Sequence, residues 1–160
     1  MAKSPSHQRP GFHSVTPALI VDDCAAAIPF YAKAFGAVEK ARDLGPGGKI
    51  WHCEVQIGDS LIMLSDEFPE MGSKSAKTIG DAPGGLWLYV PDVDATHRAA
   101  VAAGATSIRP PNDEFWGDRM AIVEDPFGHT WTLATWKETL TPAEMQERRE
   151  AAMRQFAQRP

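Results

Sequence analysis

The sequence predicts an α+β fold made of two βαβββ modules and a C-terminal helix. The first observation is an internal repeat: VDDCAAAIPFYAKAFGA starts at Val21 and VPDVDATHRAAVAAGA starts at Val90, 69 residues later. Each segment begins with the last valine of a strand, continues through aspartates that can cap a helix, and ends in Gly-Ala. The second observation is that strand candidates surround both helices in the same order. Each half is too short to be a domain alone, so each exposes a sheet face that the other can cover.

The two modules are predicted at residues 13–66 and 85–136, joined by a loop over 67–84. SVTPALIV precedes the first helix and GLWLYV precedes the second. The first helix is followed in the sequence by the strand candidates 37–42, 50–57 and 60–65. The second helix is followed by the candidates 106–109, 120–124 and 130–136. Residues 1–12 are predicted to be a disordered lead-in without a secretory signal, because their basic residues precede no apolar stretch.

Residues 137–160 lie outside the repeat and form a helical extension. In TPAEMQERREAAMRQF, Thr141 is the predicted N-cap, Pro142 takes the first helical position and Glu144 completes a capping box. Two interpretations stay open for this helix. It packs on its own chain, or it reaches a partner subunit.

Composition narrows the function classes. The chain has 160 residues, which suits one domain, and its net charge of −5 argues against nucleic acid as the main partner. No apolar run approaches the ~20 residues that cross a bilayer. Cys24 and Cys53 match no metal-binding or redox spacing, and two thiols do not make a disulfide framework. We therefore expect a cytoplasmic protein that binds neither nucleic acid nor membrane.

Five phrases in order carry a family resemblance: TPALIVDDCAAAIPFYAKAFGA, IGDSLIMLSDEFPEMG, LYVPDVDA, FWGDRMAIVEDPFGHTWTLATW and TPAEM. Together with the doubled βαβββ pattern, they resemble the vicinal oxygen chelate superfamily, which contains glyoxalase I, extradiol dioxygenases and bleomycin-resistance proteins. The phrases look most like its PhnB-like branch. The resemblance covers residues 13 to about 136 and implies a glyoxalase-like cupped sheet. It implies function less strongly, because one fold hosts many chemistries.

The resemblance also implies where a metal would bind. Metal-using members place four ligands on the concave sheet face, two from each module. The corresponding positions here are Thr16, Met63, Gly85 and Thr132. None carries an imidazole or a carboxylate, whereas an open site for a divalent ion needs about three ligands from His, Asp, Glu or Cys. We therefore expect no metal and no other cofactor.

A metal site rebuilt elsewhere stays open as an alternative, but His7 and His97 are poor candidates for it, and His13 could at most cap the mouth of the cavity. His7 lies in the lead-in and His97 in the second repeat helix. His129 closes the Asp-Pro-Phe-Gly turn, where we expect it to face solvent or the backbone. His13 lies three residues before Thr16, so strand alternation sends it to the opposite face unless the chain bends.

His52 and Glu54, in IWHCEVQIGDS, form the candidate catalytic pair. If Gly58 and Asp59 make a two-residue hairpin turn, Glu54 pairs with Met63 and both polar side chains share the cavity face of Met63. An imidazole beside a carboxylate in a partly apolar pocket can serve as a general base and its orienting partner. The alternative is two polar residues on the wetter face of an antiparallel sheet.

Residues of the second module complete the predicted pocket. Trp116 and Arg119 come from the loop and strand before the last hairpin, and such a pair suits an anionic or planar ligand. The alternative is a surface ion pair of Arg119 with Asp118 or Glu114, and a tryptophan that fills the sheet. Trp136 alternates in phase with Thr132, so we expect both to face the cavity. The remaining tryptophans are expected in the core: Trp51, Trp87 and Trp131.

Three functions stay open: a binder that sequesters a small molecule, a metal-free enzyme in which His52 or Glu54 moves a proton, and a lyase or dioxygenase with a rebuilt metal site. A methyltransferase that uses S-adenosylmethionine is excluded, because no glycine-rich strand-to-helix turn with a following acidic residue appears. We expect a homodimer that binds a small molecule, since two half-sheets leave edges and a concave face to cover. The expected ligand-binding residues are Thr16, Met63, Trp116, Arg119, Thr132 and Trp136.

Overall fold

The computed structural model of the protein describes residues 6–158. The first module is a four-stranded sheet in the order β1-β4-β3-β2, with one helix. β1 and β4 are parallel, and the other neighbours are antiparallel. The elements are β1 (Ala18–Val21), α1 (Cys24–Phe35), β2 (Val38–Leu44), β3 (Ile50–Ile57) and β4 (Ser60–Asp66).

A linker with a 3-10 turn at Pro69–Met71 and the one-turn helix α2 (Ala76–Ile79) leads to the second module. That module repeats the arrangement in the order β5-β8-β7-β6. Its elements are β5 (Gly85–Tyr89), α3 (Val93–Ala103), β6 (Thr106–Asp113), β7 (Asp118–Glu124) and β8 (Thr130–Trp136), and α4 (Pro142–Ala157) follows. The predicted α+β fold of two βαβββ modules with a C-terminal helix is confirmed. Within residues 6–158, no helix is long and apolar enough to cross a membrane.

Local sequence accounts for the bounds of the helices. The carboxylates of Asp23 and Asp92 each accept a hydrogen bond of 2.9 Å from the backbone N–H three residues later, at the starts of α1 and α3. The same helices end at Gly36 and Gly104, whose φ angles of 69° and 119° are unfavourable for residues with a Cβ. The capping box predicted for α4 also forms.

The two modules share one hydrophobic core. Helices α1 and α3 pack on each other, and buried side chains of both sheets join the same cluster. Aromatic rings of α1 reach the second module, since the ring centroids of Tyr31 and Phe35 lie 5.5 and 4.6 Å from that of Trp131. The Tyr31 hydroxyl donates a hydrogen bond of 2.7 Å to the buried carboxylate of Asp125. Each sheet therefore turns one face to the common core and leaves its other face open.

The core prediction is confirmed for Trp131 and wrong for Trp51 and Trp87. Trp131 is 1% exposed, whereas Trp51 and Trp87 are 46% and 50% exposed. The leucines of β5 pack against the core, so strand alternation sends Trp87 to the open face. Trp51 lies near the start of β3, where its ring packs on Phe68 instead of on a helix.

Candidate functional site

The candidate residues lie on two surfaces. We call the side of the first sheet that points away from the core the first open face, and the corresponding side of the second sheet the second open face. The first open face carries His52, Glu54 and Met63, which alternate with buried core residues of β3 and β4. Thr132 and Trp136 lie on the second open face, because they alternate with the buried Trp131 and Leu133 of β8.

On the first open face, His52 and Glu54 are in contact. Glu54 pairs with Met63 across the two-residue hairpin, as the predicted register requires. The Nε2 atom of His52 lies 3.2 Å from the Oε1 atom of Glu54. The Glu54 side chain is 11% exposed and that of His52 is 29% exposed. The imidazole and the carboxylate thus have the geometry that an oriented general base requires.

Residues 6–16 lie over part of this face. The Nη1 atom of Arg9 is 3.3 Å from the Oε1 atom of Glu54, and its guanidinium carbon lies 5.2 Å from the ring centroid of Phe12. Thr16 and Met63 line a cavity of about 410 Å³ beside this segment. Glu54 lines a neighbouring cavity of about 440 Å³. Of the predicted disordered lead-in, residues 1–5 lie outside the described residues.

The second open face carries a larger cavity of about 920 Å³. We call it the aromatic cavity. The residues that define it are Tyr89 of β5, Trp116 in the loop before β7, Asp118 at the start of β7, Trp136 of β8 and Met145 of α4. Trp116 and Trp136 were predicted here. The sequence reasoning missed Tyr89 and Asp118, although Tyr89 follows Trp87 at the spacing of two residues that marks one face of a strand.

Hydrogen bonds fix the aromatic rings of this cavity. Trp116 Nε1 donates to Asp118 Oδ2 over 3.1 Å, and the Tyr89 hydroxyl donates to the same oxygen over 3.2 Å. Desolvation and the nearby Asp118 carboxylate raise the pKa of Tyr89, so the hydroxyl keeps the proton that it donates. Trp136 Nε1 donates to the backbone carbonyl of Glu138 over 2.7 Å. Asp118 itself is only 5% exposed.

The predicted position of Arg119 in the pocket is wrong. Arg119 follows the cavity residue Asp118 along β7, so its side chain lies on the helix side of the sheet. There its guanidinium donates to both carboxylate oxygens of Asp94 in α3, over 2.6 and 2.9 Å, and to Asp113 over 3.0 Å. Hydrogen bonds to these two carboxylates raise the pKa of Arg119. Arg119 therefore does form ion pairs, as the alternative expected, but its partners are Asp94 and Asp113 instead of Asp118 or Glu114.

The single pocket predicted from the sequence is also wrong. Thr16, Met63 and Glu54 line cavities of the first open face, whereas Trp116 and Trp136 line the aromatic cavity. Within residues 6–158, the aromatic cavity shares no lining residue with the two cavities of the first open face. The physical reason is the shared core: both sheets turn their helix sides inward, so the open faces of one chain point away from that core.

The four positions at which the family resemblance would place metal ligands carry no donor of the usual kind. They are Thr16, Met63, Gly85 and Thr132. A Cβ on Gly85 would lie 3.2 Å from the carbonyl oxygen of Thr130, so this position is closely covered by backbone. Across the described part of the chain, no group of three or more His, Cys, Asp or Glu side chains is placed to hold a metal ion. The donors present therefore do not fit that metal.

His129 was expected to face solvent or the backbone, and its ring lies largely buried against the turn that begins at Asp125. Its side chain is 11% exposed, and its Nδ1 atom lies 3.8 Å from Asp125 Oδ2. The Asp125 carboxylate also accepts hydrogen bonds from the backbone N–H groups of Phe127 and His129 and from Tyr31 and Trp131. Burial opposes the charged form, but these hydrogen bonds outweigh it and hold the pKa of Asp125 below its ordinary value.

A doubled βαβββ fold whose open sheet faces bear cavities defines the class of glyoxalase-like proteins. The chain belongs to the Glyoxalase/Bleomycin resistance protein/Dioxygenase superfamily, whose family model matches residues 11–133. An uncharacterized protein of Mycobacterium tuberculosis is 46% identical over 123 residues, which cover 75% of this chain and 72% of that protein.

Two solved structures have a similar fold. The X-ray structure of an Arabidopsis thaliana gene product has a TM-score of 0.61 and 26% identity, over 77% of this chain and 98% of that one. The crystal structure of TioX from Micromonospora has a TM-score of 0.61 and 24% identity, over 81% of this chain and all (100%) of that one. The similarity to TioX bears on the fold alone.

Proposed function

We propose that the protein binds a small organic molecule in a concave cavity and does so without the metal of its superfamily. The aromatic cavity carries this proposal. Its volume of about 920 Å³ lies within the range of roughly 300–1,000 Å³ that is usual for ligand sites. Its walls are mainly apolar and aromatic, with one buried carboxylate. The absence of metal donors at Thr16, Met63, Gly85 and Thr132 supports the metal-free part.

Two finer assignments belong to the same proposal. The five phrases that resemble the PhnB-like branch support membership of that branch. Two cysteines without a metal-binding or disulfide pattern support a cytoplasmic location.

Native mass spectrometry of protein purified from its source tests the proposal, because it measures retained ligand, bound metal and subunit count together. We expect an organic ligand to be retained or to bind when added, and no stoichiometric Zn, Ni, Mn or Fe. Trp136→Ala should weaken ligand binding, because it removes a wall of the cavity. Close to one metal ion per chain, lost in Glu54→Gln or His52→Ala, would overturn the metal-free assignment.

We further propose that the protein is a homodimer. The two open faces of one chain point away from a single core, and α4 exposes Met153 at 56% and Phe156 at 71%. A second copy would cover this apolar surface and can bring the first open face of one chain to the second open face of the other. The His52–Glu54 pair would then meet the aromatic cavity. Sedimentation at micromolar concentration should give about twice the 17.4 kDa of one chain, and a monomer alone would contradict the dimer.

A second candidate function is a lyase-type or dioxygenase-type enzyme that uses His52 and Glu54 on a small organic substrate. The 3.2 Å contact between the imidazole and the carboxylate supports this candidate. In the metal-free form, His52 would take a proton from the substrate while Glu54 orients the ring. Conversion of a bound molecule by the wild type, lost in His52→Gln, would favour the enzyme. A molecule that is bound and released unchanged would favour the binder.

A further inference from the structure

We propose that the aromatic cavity selects organic cations, in particular substituted ammonium groups attached to an apolar body. This inference rests on the proposed binding function and adds the chemical class of the ligand. Three features carry it: a buried carboxylate that has no cationic partner among residues 6–158, three aromatic side chains fixed around it, and a volume that accepts more than the charged group alone.

The carboxylate of Asp118 supplies the negative charge. It is 5% exposed, and its Oδ2 atom accepts hydrogen bonds from the neutral donors of Trp116 and Tyr89. Neutral donors hold the carboxylate in place without neutralising it, and buried charges in proteins are usually paired with an opposite charge. Three arginines of the second module and of α4 pair with other carboxylates: Arg109 with Glu114, Arg119 with Asp94 and Asp113, and Arg148 with Glu138. A cationic ligand would therefore supply the missing positive charge.

The aromatic rings provide the second attraction. Tyr89, Trp116 and Trp136 line the same cavity as the carboxylate. Ring faces carry partial negative charge, and tryptophan attracts cations most strongly among the aromatic side chains. Each of the three has a polar atom in a hydrogen bond, so the rings are held before a ligand arrives. Trp116 also packs edge-on against Phe115, with an interplanar angle of 88°. Little orientational freedom is left to lose on binding.

The volume and the apolar walls of the cavity determine which chemical group can accompany the cation in the ligand. About 920 Å³ is much more than an ammonium group fills, and Met145 of α4 and Pro91 add apolar wall. Methionine adapts to irregular partners, which suits an apolar body of variable shape. An anion would meet the Asp118 carboxylate and the negative ring faces together. The same surfaces thus favour a cation with an apolar body and disfavour a carboxylate of similar size.

Three probes of similar size test the charge preference: benzyltrimethylammonium, para-tert-butylbenzyl alcohol and para-tert-butylbenzoate. Binding is measured by tryptophan fluorescence and by titration calorimetry on the full chain. We expect the cation to bind about tenfold more tightly than the neutral alcohol, and the benzoate to bind most weakly. An alcohol that binds as tightly as the cation would overturn the cation preference and leave the proposed binding function standing. No binding by any probe would count against both.

Single-residue variants test whether the preference for the cation arises in the aromatic cavity. Asp118→Asn keeps a hydrogen-bond acceptor but removes the charge, so it should reduce the advantage of the cation over the alcohol to about twofold or less. Glu124→Gln is the matched control, since it removes one charge from the exposed far end of the same strand and should leave the advantage unchanged. Trp136→Leu, at a side chain that is 66% exposed, should weaken cation binding without unfolding the protein. An unchanged preference in both cavity variants would overturn the proposal.

Titrations of the monomer and of the dimer distinguish a cavity that binds a ligand from a cavity that a second copy of the chain fills. Each titration is repeated at two protein concentrations, below and above the range in which sedimentation detects a dimer. We expect the ratio of cation to alcohol affinity to stay constant. If all three probes are expelled when the dimer forms, a partner subunit fills the cavity and the cation site is refuted.

Discussion

The two modules are built alike toward the core and differently toward their open faces. Met63 and Thr132 occupy equivalent positions, and their partners across the hairpin are Glu54 in the first module and Ile122 in the second. On the open face, β3 of the first module thus carries the polar pair His52 and Glu54, whereas β7 of the second module carries apolar side chains such as Ile122. The first open face lies beside residues 6–16, whereas the second holds an aromatic cavity beside α4.

This difference shows which part of a repeat is constrained. The core side of β4 carries Ile62 and Leu64, and the core side of β8 carries Trp131 and Leu133, all of them buried. These side chains must fill one shared interior at crystal-like density, so the apolar pattern is kept in both modules. The open faces have no such requirement. They can differ, and in this chain His52 and Glu54 lie on the first open face, whereas the aromatic cavity lies on the second.

The largest expected effect comes from breaking the contact that joins the two modules. Asp125 receives hydrogen bonds from Tyr31 of the first module and from Trp131 of the second, over 2.7 and 2.9 Å. Asp125→Ala would leave these buried donors unsatisfied, and we expect the free energy of unfolding to fall by about 3 kcal/mol. Denaturant unfolding measures this loss. The neighbouring exposed change Glu124→Gln is the control, and equal losses in both variants would contradict the role of Asp125.

Acid should weaken the same contact. The pKa of Asp125 is lowered in the folded protein, so its contribution to stability is complete above the ordinary pKa of about 4 and is lost as pH falls through the folded pKa. The difference in unfolding free energy between the wild type and Asp125→Asn should therefore shrink below about pH 4. Unfolding curves of both proteins across this range measure the difference. A difference that grows on acidification would show that the charged form is not the stabilising one.

The fold was predictable because its signals are local, whereas the arrangement of the site was not. Capping aspartates, terminal glycines and strand alternation lie within a few residues of what they determine. The contact of Tyr31 with Asp125 joins residues 94 positions apart, and no local pattern indicates it. The contact is part of the packing of both helices into one core. That packing turns the two open faces away from each other.

The errors at single residues have local causes. Arg119 was assigned from its loop neighbours instead of from its phase in β7, where it alternates with Asp118. Counting that phase would have sent it to the helix side and brought Asp118 into the cavity. The pairing of Glu54 with Met63 was predictable because a two-residue turn fixes the register of a hairpin, and strand alternation puts His52 on the same face as Glu54.

The Glu54→Gln variant tests whether the first open face takes part in ligand binding or turnover. The change keeps the shape of the side chain but removes the charge that contacts His52 and Arg9. We expect altered ligand binding or turnover, with a loss of unfolding free energy of about 1 kcal/mol or less, because the Arg9 side chain is 72% exposed. Thermal unfolding and a ligand titration on the same sample separate the two effects. A large fall in melting temperature with unchanged ligand affinity would make Glu54 a structural residue.

The smallest effect is expected at Arg119, and it sharpens the contrast between the two sides of the second sheet. Arg119→Met removes a guanidinium that contacts Asp94 and Asp113 on the helix side, and methionine retains much of the apolar length of the side chain. Ion pairs at an exposed surface contribute little, so the melting temperature should fall only slightly, and far less than in Asp125→Ala. Ligand binding in the aromatic cavity should not change, because Arg119 lies on the other side of β7. If this variant instead weakens the binding of an anionic probe, Arg119 reaches the cavity in solution and the assignment of the two faces is wrong.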